Sequence, residues 1–491
     1  TRASGTRQVS RCLAFRYNPV THPTSGSISL HFDRGTLLLR WSEGECPESV
    51  RTHLKGVEWD DRVRNYRAPA WRYRDLVLAL HTRRIPFEDN ARQFVPTEFS
   101  LQKRITPRDF QQEALEAWLP DKRGVVSLPT GAGKTILALL LITKTHRPTL
   151  IHVPTLDLMR QWQEVLEEHL GIAVGLIGGG QHEVRDITVT TYDSALIHVS
   201  QLGNRFGMLV FDECHHLPGE QYQFAALGSL APFRLGLTAT PERADGRESV
   251  LWELIGPLCY EAHIDELQGD TLAPYRVETI PVKLSAEEQA EYQQFRERYT
   301  GFLRRERIFL GKSNGWQIFL WKCNQSAEGR EAFQAYLAQK RLAQAASEKT
   351  DWVWRLLRRH AGDRIIIFTQ DNDMAYRLGR CFFLPVLTHQ TKLPERKALL
   401  DAFRNGIYPV LVTSKVLNEG VDVPEANVGL IVSGSGSVRE HVQRLGRLLR
   451  GRPGKQAVLY ELVSQNTGEQ SINKRRRQHR AYERSAPLPG A

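Results

Sequence analysis

One short segment, Pro129-Thr130-Gly131-Ala132-Gly133-Lys134-Thr135, constrains the fold more than anything else in the chain. A β-type run at 124–128 leads into it, and the apolar, helix-like stretch ILALLLI follows. A strand, a glycine loop and a helix in that order aim backbone N–H groups and a helix N-terminus at an anion. The unit belongs in a parallel α/β sheet and predicts a phosphate cradle spanning Pro129, Thr130, Gly131, Ala132 and Gly133. Lys134 would neutralise the β- and γ-phosphates of ATP, and the Thr135 hydroxyl would hold Mg²⁺. The strict spacing asks for glycine at 128, where this chain has Leu128.

Two later segments fit the same crevice. Leu209-Val210-Phe211-Asp212-Glu213-Cys214-His215-His216 reads as an apolar strand ending in two carboxylates. Asp212 is placed to hold Mg²⁺ and Glu213 to polarise the attacking water. A Cys/His metal site is the rival reading, but consecutive residues at a strand end point to alternate sides and make poor joint ligands. At Leu237-Thr238-Ala239-Thr240-Pro241 another strand ends in small hydroxyl residues. Thr238 and Thr240 form either a capping turn or a relay of nucleotide state. Further on, Gln443-Arg444-Leu445-Gly446-Arg447-Leu448-Leu449-Arg450 places Arg447 and Arg450 on one helical face. Arginines from a second lobe can stabilise the charge of a phosphoryl-transfer transition state.

Around these motifs, β-branched runs alternate with helical patterns from about 105 to 270, with strands expected at 149–153, 187–191, 208–211 and 234–237. Residues 285–350 change character to helical periodicity rich in arginine and aromatic residues. Strands resume at 364–368, 410–413 and 429–433. In front, GSISLHFDRGTLLLRWS reads as a hairpin turning at Asp33-Arg34-Gly35, and the apolar run 76–80 as a helix. A polar stretch at 89–100 is the first expected linker. The expected domains are 1–98, 99–271, and 272–491 containing a helical insert at 285–350 and a basic tail at 474–491.

The 66 Lys and Arg against 55 Asp and Glu leave a formal charge of +11, which biases the chain toward a polyanion. The six cysteines form no CxxC pair, which argues against a zinc ribbon and suits a reducing cytoplasm. No run of 18 apolar residues suggests a membrane span, and the start lacks the apolar core of a secretory signal. A cytoplasmic location is the expectation.

These elements, in this order, resemble superfamily-two helicases, and in particular the XPB family in its archaeal and bacterial form. Arg108-Asp109-Phe110-Gln111 is similar to the family's adenine-reading motif, which implies ATP contacts from Arg108 and Gln111, with Gln443 from the arginine motif. Pro154-Thr155 and Thr190-Thr191-Tyr192 resemble motifs that grip the DNA backbone, implying Pro154, Thr155, Thr191 and Tyr192 as DNA contacts. Asn418-Glu419-Gly420-Val421-Asp422 looks like motif five. The Tyr66-Arg67-Ala68-Pro69 region and LIGPLCYEA are similar to XPB-specific segments. The stretch after Pro241 resembles the family's Arg-Glu-Asp element, but here reads Arg243-Ala244-Asp245 and lacks the middle carboxylate.

The resemblance implies an α/β architecture of two RecA-like lobes with parallel sheets, a small N-terminal α/β domain like the family's damage-recognition domain, and a helical thumb insert. It implies an ATP-dependent, 3′-5′ DNA translocase or helicase acting in nucleotide excision repair, as a monomer or paired with a structure-specific nuclease. An ATP-modulated scaffold that recruits a nuclease, a defence or restriction-type translocase, and an RNA helicase are the competing readings. In the insert, Arg304, Arg305, Arg307 and Lys312 suit phosphate contact, with Trp316 and Trp321 either stacking on an opened base or forming the insert's core. The basic run 474–480 is a DNA arm, a nuclear signal or a solubilising end.

Overall fold

The computed structural model describes residues 28–41, 54, 56–240, 246–263, 266, 275–311, 314–414, 426–434 and 457–476. Arg243, Asp245, Lys312, the 418–422 segment, Gln443, Arg447, Arg450 and the tail beyond 476 lie outside the described residues. By its internal contacts the chain falls into two compact units, residues 1–128 with 133–262, and residues 263–491 with 129–132.

The first unit opens with a small five-stranded sheet. Its strands are β1 (Ile28–Asp33), β2 (Thr36–Trp41), β3 (Glu58–Asp60), β4 (Asn65–Pro69) and β5 (Phe87–Asn90), in the order β3-β4-β2-β1-β5. The expected hairpin forms, with Asp33 paired to Thr36 across a two-residue turn. Arg34 at φ 47° and Gly35 at φ 91° supply the two positive φ values that such a turn requires. Helix Tyr73–Thr82 lays Leu76, Val77 and Leu80 on this sheet. Residues 91–100 are not a free linker. Phe94 and Phe99 are buried, the Gln93 amide donates to Asn204 O at 2.9 Å, and the Thr97 amide to His146 O at 3.1 Å. Phe94, with Ala91, joins the core of the small sheet, and the buried Phe99 and the two amide bonds fix the rest of the stretch.

That domain is built on β6 (Arg123–Ser127), β7 (Thr149–Val153), β8 (Gly175–Gly178), β9 (Gln181–His182), β10 (Ile187–Thr191), β11 (Met208–Asp212), β12 (Phe233–Thr238) and β13 (Leu258–Glu261). The order is β13-β6-β12-β11-β7-β10-β8-β9, parallel except for β8 with β9. All residues of β7, β10, β11 and β12 are buried, as strands covered on both faces must be. One arginine is among them. Arg234 lies fully inside and donates to the carbonyls of Ala226, Ser229, Ala231 and Leu254, so its guanidinium ties strand β12 to one loop and the ends of two helices.

The second unit carries a six-stranded parallel sheet of β14 (Tyr275–Val282), β15 (Ile365–Phe368), β16 (Val386–Leu387), β17 (Val410–Thr413), β18 (Val428–Ile431) and β19 (Ala457–Ser464). Its order is β14-β19-β18-β15-β17-β16. Between β14 and β15 come helices Ala286–Arg305, Gly315–Gln325, Ala327–Gln344 and Ser347–Arg359. The first three share a core of Tyr299, Phe302, Ile308, Phe319, Cys323, Ala332 and Ala335. The fourth sends Val353 and Leu356 into the core of the second sheet instead, so the separate helical core ends near 344, before the expected boundary at 350. Lys349 on this helix is fully buried, and its ammonium donates to Glu469 Oε2 and to Val432 O, both at 2.8 Å.

Candidate nucleotide site

In the first parallel sheet β12 lies between β6 and β11. Their C-terminal ends therefore deliver the glycine loop, Thr238 and the Asp212-Glu213 pair to one edge, where parallel sheets bind ligands. The Leu128 amide donates to Thr238 O at 2.9 Å and fixes the start of the loop to the neighbouring strand. Gly131 at φ 87° and Gly133 at φ 82° adopt the left-handed backbone that lets the loop turn into helix Lys134–Thr145. A Cβ on Gly133 would lie 2.7 Å from Gln111 Nε2. Thr135 stands in the first turn of this helix, beside the N–H groups that a helix leaves without internal partners.

Lys134 donates to Leu128 O at 3.3 Å, and its Nζ lies 3.9 Å from Glu213 Oε1. Asp212 and Glu213 are both nearly sealed from solvent. Glu213 itself sits at φ 48°, a left-handed conformation that costs a non-glycine residue about 1 kcal/mol or more and that clusters at functional sites. Burial above all, and the neighbouring Glu213 charge next, push the Asp212 carboxyl up to about 6; Lys134 and the bonds from Trp162 and the Glu213 amide pull the other way. Glu213 Oε2 has no hydrogen-bond donor among the described residues and lies 3.4 Å from His215 Nδ1. Two adjacent buried carboxylates facing one ammonium are short of positive charge. The oxygen-only donors of Asp212 and Thr135 are of the kind a hard divalent cation such as Mg²⁺ takes.

Three more residues complete the arrangement: Trp162, which no motif singled out, and Tyr192 and His215, for which the sequence suggested other roles. The indole of Trp162, fully buried on helix Leu156–Leu170, donates to Asp212 Oδ2 at 2.8 Å. The Asp212 main-chain oxygen accepts from the Tyr192 hydroxyl at 3.0 Å. His215, considered from sequence only as a metal ligand, sits 3.2 Å from Thr238 Oγ1, so it bridges the carboxylate strand to the hydroxyl turn. Thr238 in turn bonds both the amide and the carbonyl of Thr240, at 3.2 and 3.0 Å. The turn is thus a closed local cap that also touches the carboxylate side through His215.

Arg108 and Gln111 open helix Asp109–Trp118, where the Arg108 amide donates to Gln111 Oε1 at 3.0 Å. Gln111 Nε2 reaches Gly133 O at 3.3 Å, so in this conformation the side-chain amide buttresses the glycine loop. Thr155 follows Pro154 and caps helix Leu156–Leu170 by accepting from the Leu158 amide. Thr191 does the same for helix Tyr192–Leu202 through the Ser194 amide. Tyr192, expected as a DNA contact, is 2% exposed and its hydroxyl is directed to the Asp212 main chain. In the insert Arg304 is exposed, and Arg305 pairs with Glu328. Trp316 packs 5.3 Å from Phe319 and 5.2 Å from Tyr336 at the edge of the insert's core, whereas Trp321 is 59% exposed.

Comparison with known proteins adds three family matches. Residues 30–91 match the Xeroderma pigmentosum group B helicase damage recognition domain, 104–243 the type III restriction enzyme res subunit, and 348–452 the helicase conserved C-terminal domain. The chain is 39% identical over 426 residues to the "DNA 3'-5' translocase XPB2" of Sulfurisphaera tokodaii, covering 87% of this chain and 97% of that one. It is 32% identical to the "DNA 3'-5' helicase XPB" of Kineococcus radiotolerans, over 74% of this chain but only 60% of the relative's length. Among solved structures, S. cerevisiae Dbp5 bound to RNA and ADP BeF3 aligns with a TM-score of 0.50 at 18% identity, over 77% of this chain and 88% of that one. A likeness of that degree speaks for the fold alone, two RecA-like lobes.

Proposed function

Because the chain belongs to the XPB family of superfamily-two helicases, we propose that it is an ATP-dependent 3′-5′ DNA translocase that opens duplex DNA in nucleotide excision repair. The observation that carries this reading is the Lys134, Asp212 and Glu213 cluster at the end of a glycine loop, with the lysine 3.9 Å from Glu213 and both carboxylates buried.

In this reading Lys134 leaves Glu213 for the β- and γ-phosphates of ATP, and the loop amides and helix N-terminus take the remaining phosphate charge. Thr135 and Asp212 would hold Mg²⁺, which when bound neutralises charge on the phosphate oxygens. Glu213, once released, orients the attacking water and accepts its proton. Gln111 turns from the Gly133 carbonyl to the adenine edge, and Arg108 supports it. Thr238 and Thr240, linked to Glu213 through His215, pass nucleotide state along the turn. Arg447 and Arg450 are assigned to the γ-phosphate on their spacing and the family resemblance, and Gln443 to ATP on the resemblance. DNA contacts at Arg243 and Asp245 rest on the resemblance as well. Contacts to Pro154, Thr155, Thr191, Arg304 and Arg305 would be to phosphates, since a motor must step along any sequence.

The restriction-type match covers only the motor lobe, whereas the damage-recognition match covers the N-terminal sheet, and this favours a repair role over a defence role. A structure-specific nuclease is the proposed partner. The test is ATP hydrolysis and strand displacement with forked duplex, single-stranded DNA and RNA, with and without such a nuclease. Hydrolysis stimulated strongly by forked DNA and abolished by Lys134→Ala is expected. Equal rates with and without DNA refute the translocase reading, and equal stimulation by RNA refutes the DNA assignment.

A further inference from the structure

Asp212 is held at three points, and each point comes from a different direction. Its Oδ1 accepts from the Glu213 amide at 2.9 Å, its Oδ2 from the Trp162 indole at 2.8 Å, and its main-chain oxygen from the Tyr192 hydroxyl at 3.0 Å. The first bond is local. The other two come from helices that begin after β7 and β10, and both donors are buried beyond the reach of water. A carboxylate loses much of its stabilisation when a buried charge-assisted donor is removed, because nothing replaces the donor.

Helix Leu156–Leu170 is capped by Thr155 and carries Trp162 two turns in; helix Tyr192–Leu202 is capped by Thr191 and begins with Tyr192. Each helix thus presents its N-terminal N–H groups at one end and also holds Asp212, the first from its body through Trp162 and the second from its first residue, Tyr192. A helix with a packed, amphipathic face moves as a stiff rod, so a displacement of its first turn is felt at a side chain seven residues on.

We propose that Trp162 and Tyr192 are positioning residues that couple phosphate engagement at the Thr155 and Thr191 caps to the placement of Asp212. This rests on the translocase reading above, in which those caps meet the DNA backbone. With DNA on both caps, the two helices settle; the indole then holds the carboxylate, and the phenol the Asp212 main chain, in the cation-binding place. Without DNA, Asp212 samples other orientations, and a misplacement of about 1 Å in a catalytic group costs on the order of a hundredfold in rate. Coupling of this kind is reciprocal: whatever factor DNA adds to nucleotide affinity, nucleotide must add to DNA affinity.

The chain supplies its own control. Trp118 is also fully buried in the same unit and donates its indole N–H at 3.1 Å, but to Arg234 O rather than to the site. Trp162→Phe, Tyr192→Phe and Trp118→Phe are therefore compared with the full-length wild type. Two equilibrium measurements are made with Mg²⁺ present. One is the affinity for labelled forked duplex with and without a non-hydrolysable ATP analogue; the other is the affinity for a fluorescent ATP analogue with and without the duplex. The Mg²⁺ concentration giving half-maximal nucleotide binding is read alongside.

The expected result is a coupling factor reduced at least about fivefold in Trp162→Phe and Tyr192→Phe, with a raised Mg²⁺ requirement in the first. Trp118→Phe keeps the wild-type factor even where its melting temperature falls as far. If Trp162→Phe keeps the wild-type coupling factor, or if Trp118→Phe loses it equally, the positioning role is overturned while the translocase reading stands. A wild type with no coupling between DNA and nucleotide overturns both.

Discussion

Replacing Lys134 with methionine should do more than abolish hydrolysis, because the lysine neutralises a charge pair in the nucleotide-free protein. Its Nζ is 3.9 Å from Glu213 Oε1, with both side chains nearly buried. At an effective dielectric of about 20 that attraction is about 4 kcal/mol. The variant also escapes the desolvation of a buried ammonium and loses the bond to Leu128 O, so the net destabilisation expected is about 2–3 kcal/mol. The pH dependence has a definite sign. Asp212 is pushed up to about 6 in the fold, above its ordinary 3.8, with Lys134 among the influences holding it down. A carboxyl whose folded value is raised contributes stability below its unfolded value and loses it as pH rises through the folded one. Without the lysine the folded value rises further, so the Asp212 share of the Lys134→Met deficit should be small near pH 5 and full near pH 8, added to a loss of the Glu213 attraction that is present at both. Native-state hydrogen exchange of the β11 amides reads this without assuming that the two units unfold together. A double-mutant cycle with Glu213→Gln isolates the pair. A coupling energy under about 0.5 kcal/mol, or a deficit that grows on acidification, refutes the argument.

Three further outcomes follow from the same contacts. Gly133→Ala forces a side chain at φ 82° against the Gln111 amide; it should cost about 1–2 kcal/mol of stability and weaken nucleotide binding at least tenfold, read by thermal melting and fluorescent-nucleotide titration. Lys349→Met strands the buried Glu469 and should cost about 3–5 kcal/mol in chemical denaturation, most of it recovered by adding Glu469→Gln. Trp321→Ala should leave the melting temperature almost unchanged while weakening single-stranded DNA binding by about 1–3 kcal/mol if its exposed ring stacks on a base, whereas Trp316→Ala should lower stability through the packing it loses against Phe319 and Tyr336.

The strands of the first lobe were legible because parallel strands covered on both faces leave continuous apolar runs. The segment 149–153 coincides with β7 and 187–191 with β10. Edge elements were not legible. The strand β13 is largely exposed, β9 has two residues, and β14 is an edge strand holding a proline, so none carries an apolar run to read. The extended 91–100 stretch misled for a related reason. Its composition is that of a linker, and what fixes it is scattered: Phe94 and Phe99, too far apart for either periodicity, and main-chain bonds to Asn204 and His146 that no residue type announces.

In the candidate site the legible part was the part that chemistry fixes locally: a loop that must be glycine-rich, a lysine that must follow it, carboxylates that must end a strand. The contacts that orient those groups join residues distant in sequence. Trp162 meets Asp212 across fifty positions and His215 meets Thr238 across twenty-three. Nothing in an amphipathic helix distinguishes an indole that fills a core from one that also donates to a carboxylate. Thr191 and Tyr192 make the point within a single dipeptide. One motif reading gave both to DNA, yet they stand where a strand becomes a helix. Thr191 stays at the helix cap, bonding Ser194, while Tyr192 is carried inward to the Asp212 carbonyl. A short motif at such a junction therefore sends neighbouring residues to different places, one to the cap of the following helix and one to the main chain of the carboxylate strand.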